Sequence, residues 1–223
     1  MKKQNFSTSF GVIGLGRFGT ALVRTLAEAG QEVIAVDKDE QKVKAVRKYT
    51  DFAFVIEALS EDTLEETGIQ NCGTVAICIG EQVDVSILTT MMVIKMEIPH
   101  VISKANSPEH GEVLRHLGAT VVYPEADMAM YTAHRMISNN LLDYITLGSH
   151  VEIRRFTIDG PLVGSAIQEL DVRRKYKVNI IAIERSHQTM VDFSPQYQFQ
   201  AGDIITVIGK VDDIDHFESD IQK

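Results

Sequence analysis

The segment Phe10-Gly-Val-Ile-Gly-Leu-Gly-Arg-Phe-Gly19 sets three glycines, Gly14, Gly16 and Gly19, between an apolar run and a stretch of helical period. Each glycine has a distinct physical use. Gly14 permits a tight turn, Gly16 lets backbone approach a pyrophosphate, and Gly19 lets the following helix pack against the preceding strand. The helix N-terminus then offers its free amides and positive dipole end to an anion. The next apolar run ends in Asp37, eighteen residues beyond Gly19, where a carboxylate meets the hydroxyls of an adenosine ribose. Strand, glycine loop, helix, strand and acid fall in register.

The rest of the first half repeats this alternation. Apolar runs rich in Val, Ile and Phe occur at 10–13, 32–37, 51–56, 74–79, 100–103 and 120–123, with helical spacing at 18–29, 39–49, 61–66, 84–96 and 108–117. Helices between strands force parallel pairing, so the spacing predicts an α/β fold, a Rossmann-like doubly wound parallel sheet. Helix ends carry local signals: Ser107-Pro108 as cap and first helical residue, Ser60 before an acidic first turn, Gly30 and Gly118 after helices. After 123 the rhythm changes. A single crossover helix is predicted over 124–142. Strands follow at 150–158, 179–185, 189–191 and 203–208, with a turn at Asp159-Gly160-Pro161 and helices at 165–170 and 212–218. This reads as a small C-terminal α+β domain. The expected division is a nucleotide-binding domain over 8–123, a crossover helix and linker over 124–143, and the C-terminal domain over 144–223.

Charge and composition narrow the function. Twenty-two Lys and Arg against thirty-one Asp and Glu give a net charge of -9, which argues against nucleic acid but leaves room for one nucleotide in a local pocket. No apolar stretch approaches the ~18 residues of a membrane span, and the first ten residues lack the apolar core of a secretory signal. Two cysteines, Cys72 and Cys78, in a chain of 223 residues suit a reducing, cytoplasmic setting. Cys78 sits in an apolar strand and reads as core.

The glycine loop does not choose between NAD, ATP, ADP and AMP, although Asp37 disfavours the 2′-phosphate of NADP. Arg17, at the helix mouth, suits a terminal phosphate better than a nicotinamide. Phe18 and Lys38 adjoin the loop and the acid. Ile79 and Gly80 end the fourth strand, where adenine would lie, and Lys104 ends the fifth, where a cation would face phosphates. Groups for catalysis are not apparent: the seven histidines are scattered without a triad or zinc spacing, so the chain is not expected to be an enzyme.

Gly-Leu-Gly-Arg-Phe-Gly at 14–19, Ala35-Val36-Asp37, Ile79-Gly80, Tyr123-Pro124-Glu125 and the run Phe-Gln-Ala-Gly-Asp-Ile-Ile-Thr-Val-Ile-Gly at 199–209 occur in one order in a known family. The chain resembles, over essentially its whole length, the cytosolic RCK (TrkA-N/TrkA-C) regulatory subunits of Ktr-type potassium uptake systems. The resemblance implies homodimers assembling into an octameric ring beneath a membrane-embedded potassium-translocating subunit, on the inner face of the plasma membrane. ATP would favour an activating ring and ADP an inactive one. It implies that Asp37 holds the ribose, the 14–19 backbone the phosphates, and Arg17 a γ-phosphate. Glu125 would bind Mg²⁺ or another divalent cation beside ATP. In the C-terminal domain, Ile167, Arg173, Asn179, Ile180 and Pro195 match positions that bind cyclic di-AMP. Glu57 and Ala58 stand where NAD-preferring relatives carry a G-D-A motif, here without its glycine, which argues against NAD or NADH. The alternatives are a small NAD-dependent oxidoreductase and an RCK regulator of a cation antiporter.

Overall fold

The computed structural model describes residues 7–137, 141–147 and 150–221, and it divides into two compact units at Met128/Ala129. The first unit alternates β1 (Ser7–Ile13), α1 (Arg17–Glu28), β2 (Val33–Asp37), α2 (Glu40–Val46), β3 (Ala53–Val55), α3 (Glu61–Glu65) and β4 (Cys72–Ile77). It continues through α4 (Val83–Lys95), β5 (His100–Lys104), α5 (Pro108–Leu117), β6 (Thr120–Val122) and the start of α6 (Pro124–Ile137). All six strands are parallel in the order β3-β2-β1-β4-β5-β6. This is the doubly wound sheet that the alternation predicts.

Side-chain alternation builds a core on each face. Val12, Ala35 and Ala76 pack with Val23 of α1 and with Val43 and Val46 of α2, while Ile13, Val36 and Ile77 pack with Leu64 of α3 and Val93 of α4. Fully burying one such Val, Leu or Ile contributes roughly 1.5–3 kcal/mol, so both faces are secured by many independent contacts. The helix ends follow their local chemistry. Ser60 and Thr63 form a reciprocal capping box, Ser107 accepts from the His110 amide, and Gly118 takes a left-handed conformation at φ 103°. The sheet order reverses between β1 and β4, and the pairs Ile13–Val36 and Ile13–Ile77 bring the carboxyl ends of β2, β1 and β4 to one level. A ligand crevice belongs at that point.

The second unit holds β7 (Leu141–Leu147), β8 (Val151–Thr157), α7 (Ile167–Leu170), α8 (Val172–Tyr176), β9 (Asn179–Arg185), β10 (Gln188–Met190), β11 (Ile204–Lys210) and α9 (Val211–Ile221). Its sheet is antiparallel in the order β10-β9-β11-β8-β7. One expectation is corrected here. The crossover helix predicted to reach 142 ends at Ile137 among the described residues, and Leu141 and Leu142 already belong to a strand. Tyr144, Ile145 and Thr146 explain this, because aromatic and β-branched residues favour the pleated surface where Ile145 pairs with Ile153. The five-residue α8 also escapes the periodicity, being too short to show one.

Arg154, on the inward face of β8 beside Phe156, is almost completely buried. It pairs with Glu152 at 2.6 Å, with Asp215 of α9 at 2.6 Å, and with Glu218 at 3.4 Å. Removing the guanidinium strands the buried Glu152 carboxylate. Arg154→Ala is therefore expected to cost about 3–5 kcal/mol, read from denaturant unfolding of the full chain. A loss below 1 kcal/mol would contradict this.

Candidate functional site

Backbone geometry explains the glycines at the β1/β4 switch point. Gly14 has φ +96°, and a side chain there would press on Ile79 and the Cys78 carbonyl carbon. A Cβ at Gly19 would lie 1.9 Å from the Gly14 carbonyl oxygen. At Gly16, by contrast, a Cβ would meet nothing within 4 Å. Gly16 also caps α1 without any side-chain acceptor, and the first turn of α1 carries no acid. The helix mouth is thus open and its amides are free of side-chain competition, which fits the phosphates of a nucleotide. Beneath the loop, burial pushes the Cys78 thiol up to about 12, leaving it an inert packing group.

Asp37 is buried and binds the loop itself. Its Oδ2 accepts from the Leu15 amide at 2.6 Å, and its Oδ1 accepts from the Asp39 amide at 2.9 Å. Each oxygen keeps a further lone pair for a ribose hydroxyl. Lys42 of α2, which the sequence reading did not single out, stands 3.9 Å from Oδ2. Lys38 reaches across to Gln82, the residue capping α4, at 3.4 Å. Phe18 is half-buried and packs against the core of Val12, Leu15 and Val23. The end of β3 is tied to Asp37 by the Ile56 amide, which donates to its carbonyl at 3.0 Å. Glu57 and Ala58 then line a cleft of about 370 Å³ with Phe54, Thr63 and Glu66.

The far end of the crevice is charged. Lys104, at the end of β5, lays its stem on Gly80, where a Cβ would stand 3.1 Å from the lysine Cε. Its ammonium donates to Glu125 Oε1 at 2.5 Å. This hydrogen bond is the main reason the Glu125 carboxyl lies below the usual carboxylate range, with the positive charges of Lys104 and Arg17 adding to it. Arg17 itself is exposed at the helix mouth. Glu125 is set by its neighbour: the Tyr123 ring lies over Gly111 of α5, where a Cβ would clash, and its hydroxyl accepts from Arg115 at 3.2 Å.

In the second unit, the Ile167 amide donates to Tyr197 and the Gln168 amide to Pro195, joining α7 to the loop before β11. Arg173 is exposed on α8, and Asn179 and Ile180 open β9. The loop is anchored by Asp203, which accepts two 2.7 Å bonds from Arg185 and one of 2.9 Å from Tyr197.

The TrkA-N domain family matches residues 10–124, and the TrkA-C domain family matches residues 151–222. Ktr system potassium uptake protein C of Bacillus subtilis is 38% identical over 219 residues, covering 98% of this chain and 97% of the relative. The chain belongs to the Ktr family of potassium-uptake proteins. Ktr system potassium uptake protein A of the same organism is 34% identical over 212 residues, 95% of this chain and 96% of the relative. Among solved structures, the GsuK RCK domain superposes at TM-score 0.50 with 18% identity, over 99% of this chain and 47% of that one. The TrkA-N domain of the Escherichia coli inner membrane protein ybaL gives 0.51 with 14% identity, over 58% and 97%. At those identities they bear on the fold alone. Among the described residues of this Ktr-family chain, no helix is long and apolar enough to cross a membrane.

One connection at the site was invisible in the sequence. Asn106 Nδ2 donates to the Gly80 carbonyl at 2.8 Å, and Asn106 Oδ1 stands 3.0 Å from His110 Nδ1. A carbonyl only accepts, so the amide nitrogen faces Gly80 and the amide oxygen faces His110 Nδ1, which also stands 3.5 Å from the Asn106 backbone nitrogen. His110 Nε2 is buried without a partner among the described residues, and burial lowers the imidazole pKa. The folded state therefore holds His110 neutral, and the unfolded chain takes up the proton first. Its stabilising effect is complete above the unfolded value of about 6.5 and is lost as pH falls through the lower folded value. In His110→Asn the fall of unfolding free energy between pH 7 and pH 5 should be shallower than in the parent. An unchanged slope would contradict the assignment.

Proposed function

We propose that this chain is the nucleotide-sensing regulatory subunit of a potassium uptake system, acting without catalysis. Membership of the Ktr family supports the transport context. The observation that carries the reading is the crevice over Gly16, open to phosphates and ending in Arg17, Lys104 and Glu125. Ligands that differ by one phosphate shift an equilibrium only through contacts that differ. The charged end is where ATP and ADP differ.

In this reading Asp37 holds the ribose, the loop amides the phosphates, and Arg17 the γ-phosphate. Among the described residues no group of three His, Cys, Asp or Glu side chains is placed to hold a metal ion. Glu125 would thus bind Mg²⁺ or a similar ion only together with the phosphates, and the ion would neutralise the repulsion between carboxylate and phosphate. Homodimers assemble into an octameric ring under the membrane-embedded potassium-translocating subunit. Helix α4 supports an assembly role, since it buries Ser86, Thr89 and Thr90 and exposes Leu88 and Met91. Reversing a 1:99 population needs about 5.5 kcal/mol, so eight linked sites need about 0.7 kcal/mol each. Cyclic di-AMP would act on the second unit through Ile167, Arg173, Asn179, Ile180 and Pro195.

A thermal-shift panel with ATP, ADP, NADH, NADPH and cyclic di-AMP, each with and without Mg²⁺, tests the reading, because stabilisation follows ligand concentration over dissociation constant. ATP and ADP should raise Tm more than NADH. Arg17→Ala should narrow the gap between ATP and ADP. NADH alone at the top, or an unchanged gap, would overturn the respective assignment.

A further inference from the structure

Lys104 and Glu125 make an unusual pair for the end of a phosphate crevice. The lysine is a natural phosphate ligand, yet its ammonium is committed to a carboxylate at 2.5 Å. Its stem is held in place by the bare Gly80 surface, and only 16% of the side chain is exposed. The carboxylate is far more accessible, at 68%. Lys104 is therefore the fixed member and Glu125 the member that can exchange its counter-charge with solvent.

An incoming polyphosphate changes the balance of this pair. Phosphate oxygens compete with Glu125 for the ammonium, and an unpartnered Glu125 repels the phosphates beside it. Both conflicts are resolved when a second cation replaces Lys104 on Glu125, where Arg17 contributes charge but no hydrogen bond. We propose that Lys104 is an exchangeable internal counter-ion. It neutralises Glu125 where no phosphate competes for it, and serves the phosphates when a divalent cation takes over the carboxylate. Nucleotide and cation are thereby coupled through one side chain, and Lys104 sets how strongly ATP binding depends on the cation. This rests on the nucleotide reading of the crevice.

The test is the dissociation constant of ATP, measured by calorimetry on the full chain in EDTA and in Mg²⁺. Lys104→Met should lose roughly tenfold more affinity in EDTA than in Mg²⁺, because Glu125 loses its hydrogen-bonded counter-ion and keeps only the more distant charge of Arg17. Lys104→Arg should keep the parental ratio. Glu125→Gln should bind ATP more tightly than the parent in EDTA, since its lysine is released to the phosphates, and should lose the benefit of Mg²⁺. The double variant Lys104→Met/Glu125→Gln should recover affinity in EDTA relative to Lys104→Met. Equal losses in both buffers, with no gain from Glu125→Gln, would overturn the exchange while leaving the nucleotide site intact. A parent chain that binds ATP in neither buffer would overturn the nucleotide reading and the exchange with it. Glu125→Gln carries the decision even if Lys104→Met does not fold.

Discussion

Gly16→Ala is expected to change the stability of the chain by less than about 1 kcal/mol while weakening ATP and ADP binding tenfold or more. Gly16 has φ -68° and ψ -170°, which any residue adopts, and its Cβ would meet open space. Replacing glycine at such a backbone conformation gains about 0.4–1 kcal/mol through the unfolded chain, and alanine's poorer fit at the N-cap of α1 offsets that gain. The methyl group would, however, stand where a pyrophosphate must reach the backbone. Gly19→Ala is the contrasting case. Its Cβ would overlap the Gly14 carbonyl, so stability itself should fall. Unfolding free energies with and without nucleotide separate the two. Normal nucleotide binding by Gly16→Ala would remove the phosphates from this helix mouth.

Asp37→Ala should weaken ATP and ADP alike, by about 100-fold or more. Two ribose hydroxyls bonded to a carboxylate are worth about 1.5–3 kcal/mol each, and 1.4 kcal/mol is tenfold in affinity. The substitution also leaves the Leu15 and Asp39 amides without their acceptor, loosening the glycine loop. Both nucleotides carry the ribose and use the same loop, so the losses should match. Selective loss of one nucleotide in a calorimetric titration would contradict the assignment of Asp37.

The parts of the molecule that could be read in advance are those governed by neighbours in the chain. The turn at Gly14, the packing at Gly19, the caps at Ser60, Ser107 and Gly118, and the alternation that makes six parallel strands all depend on short spacings. Elements with weak or short signals are the ones that local pattern does not decide. Leu141 and Leu142 look helical by hydrophobicity, but Tyr144 to Thr146 commit them to a strand. Pairings across the sheet were beyond any local pattern. Lys104 and Glu125 are twenty-one residues apart, and Asn106 and Gly80 are twenty-six apart. His110 looked like one of several scattered histidines because its role lies in an asparagine that faces a different strand.

The central claim is that an adenosine phosphate sits over α1 and is distinguished by its last phosphate. Hydrogen–deuterium exchange of the full chain with saturating ATP or ADP tests it directly. Protection of residues 14–19 and of the Asp37 region should be common to both ligands. The difference between them should fall on the segments carrying Arg17, Lys104 and Glu125. Exchange over 14–19 that neither nucleotide alters would contradict the account.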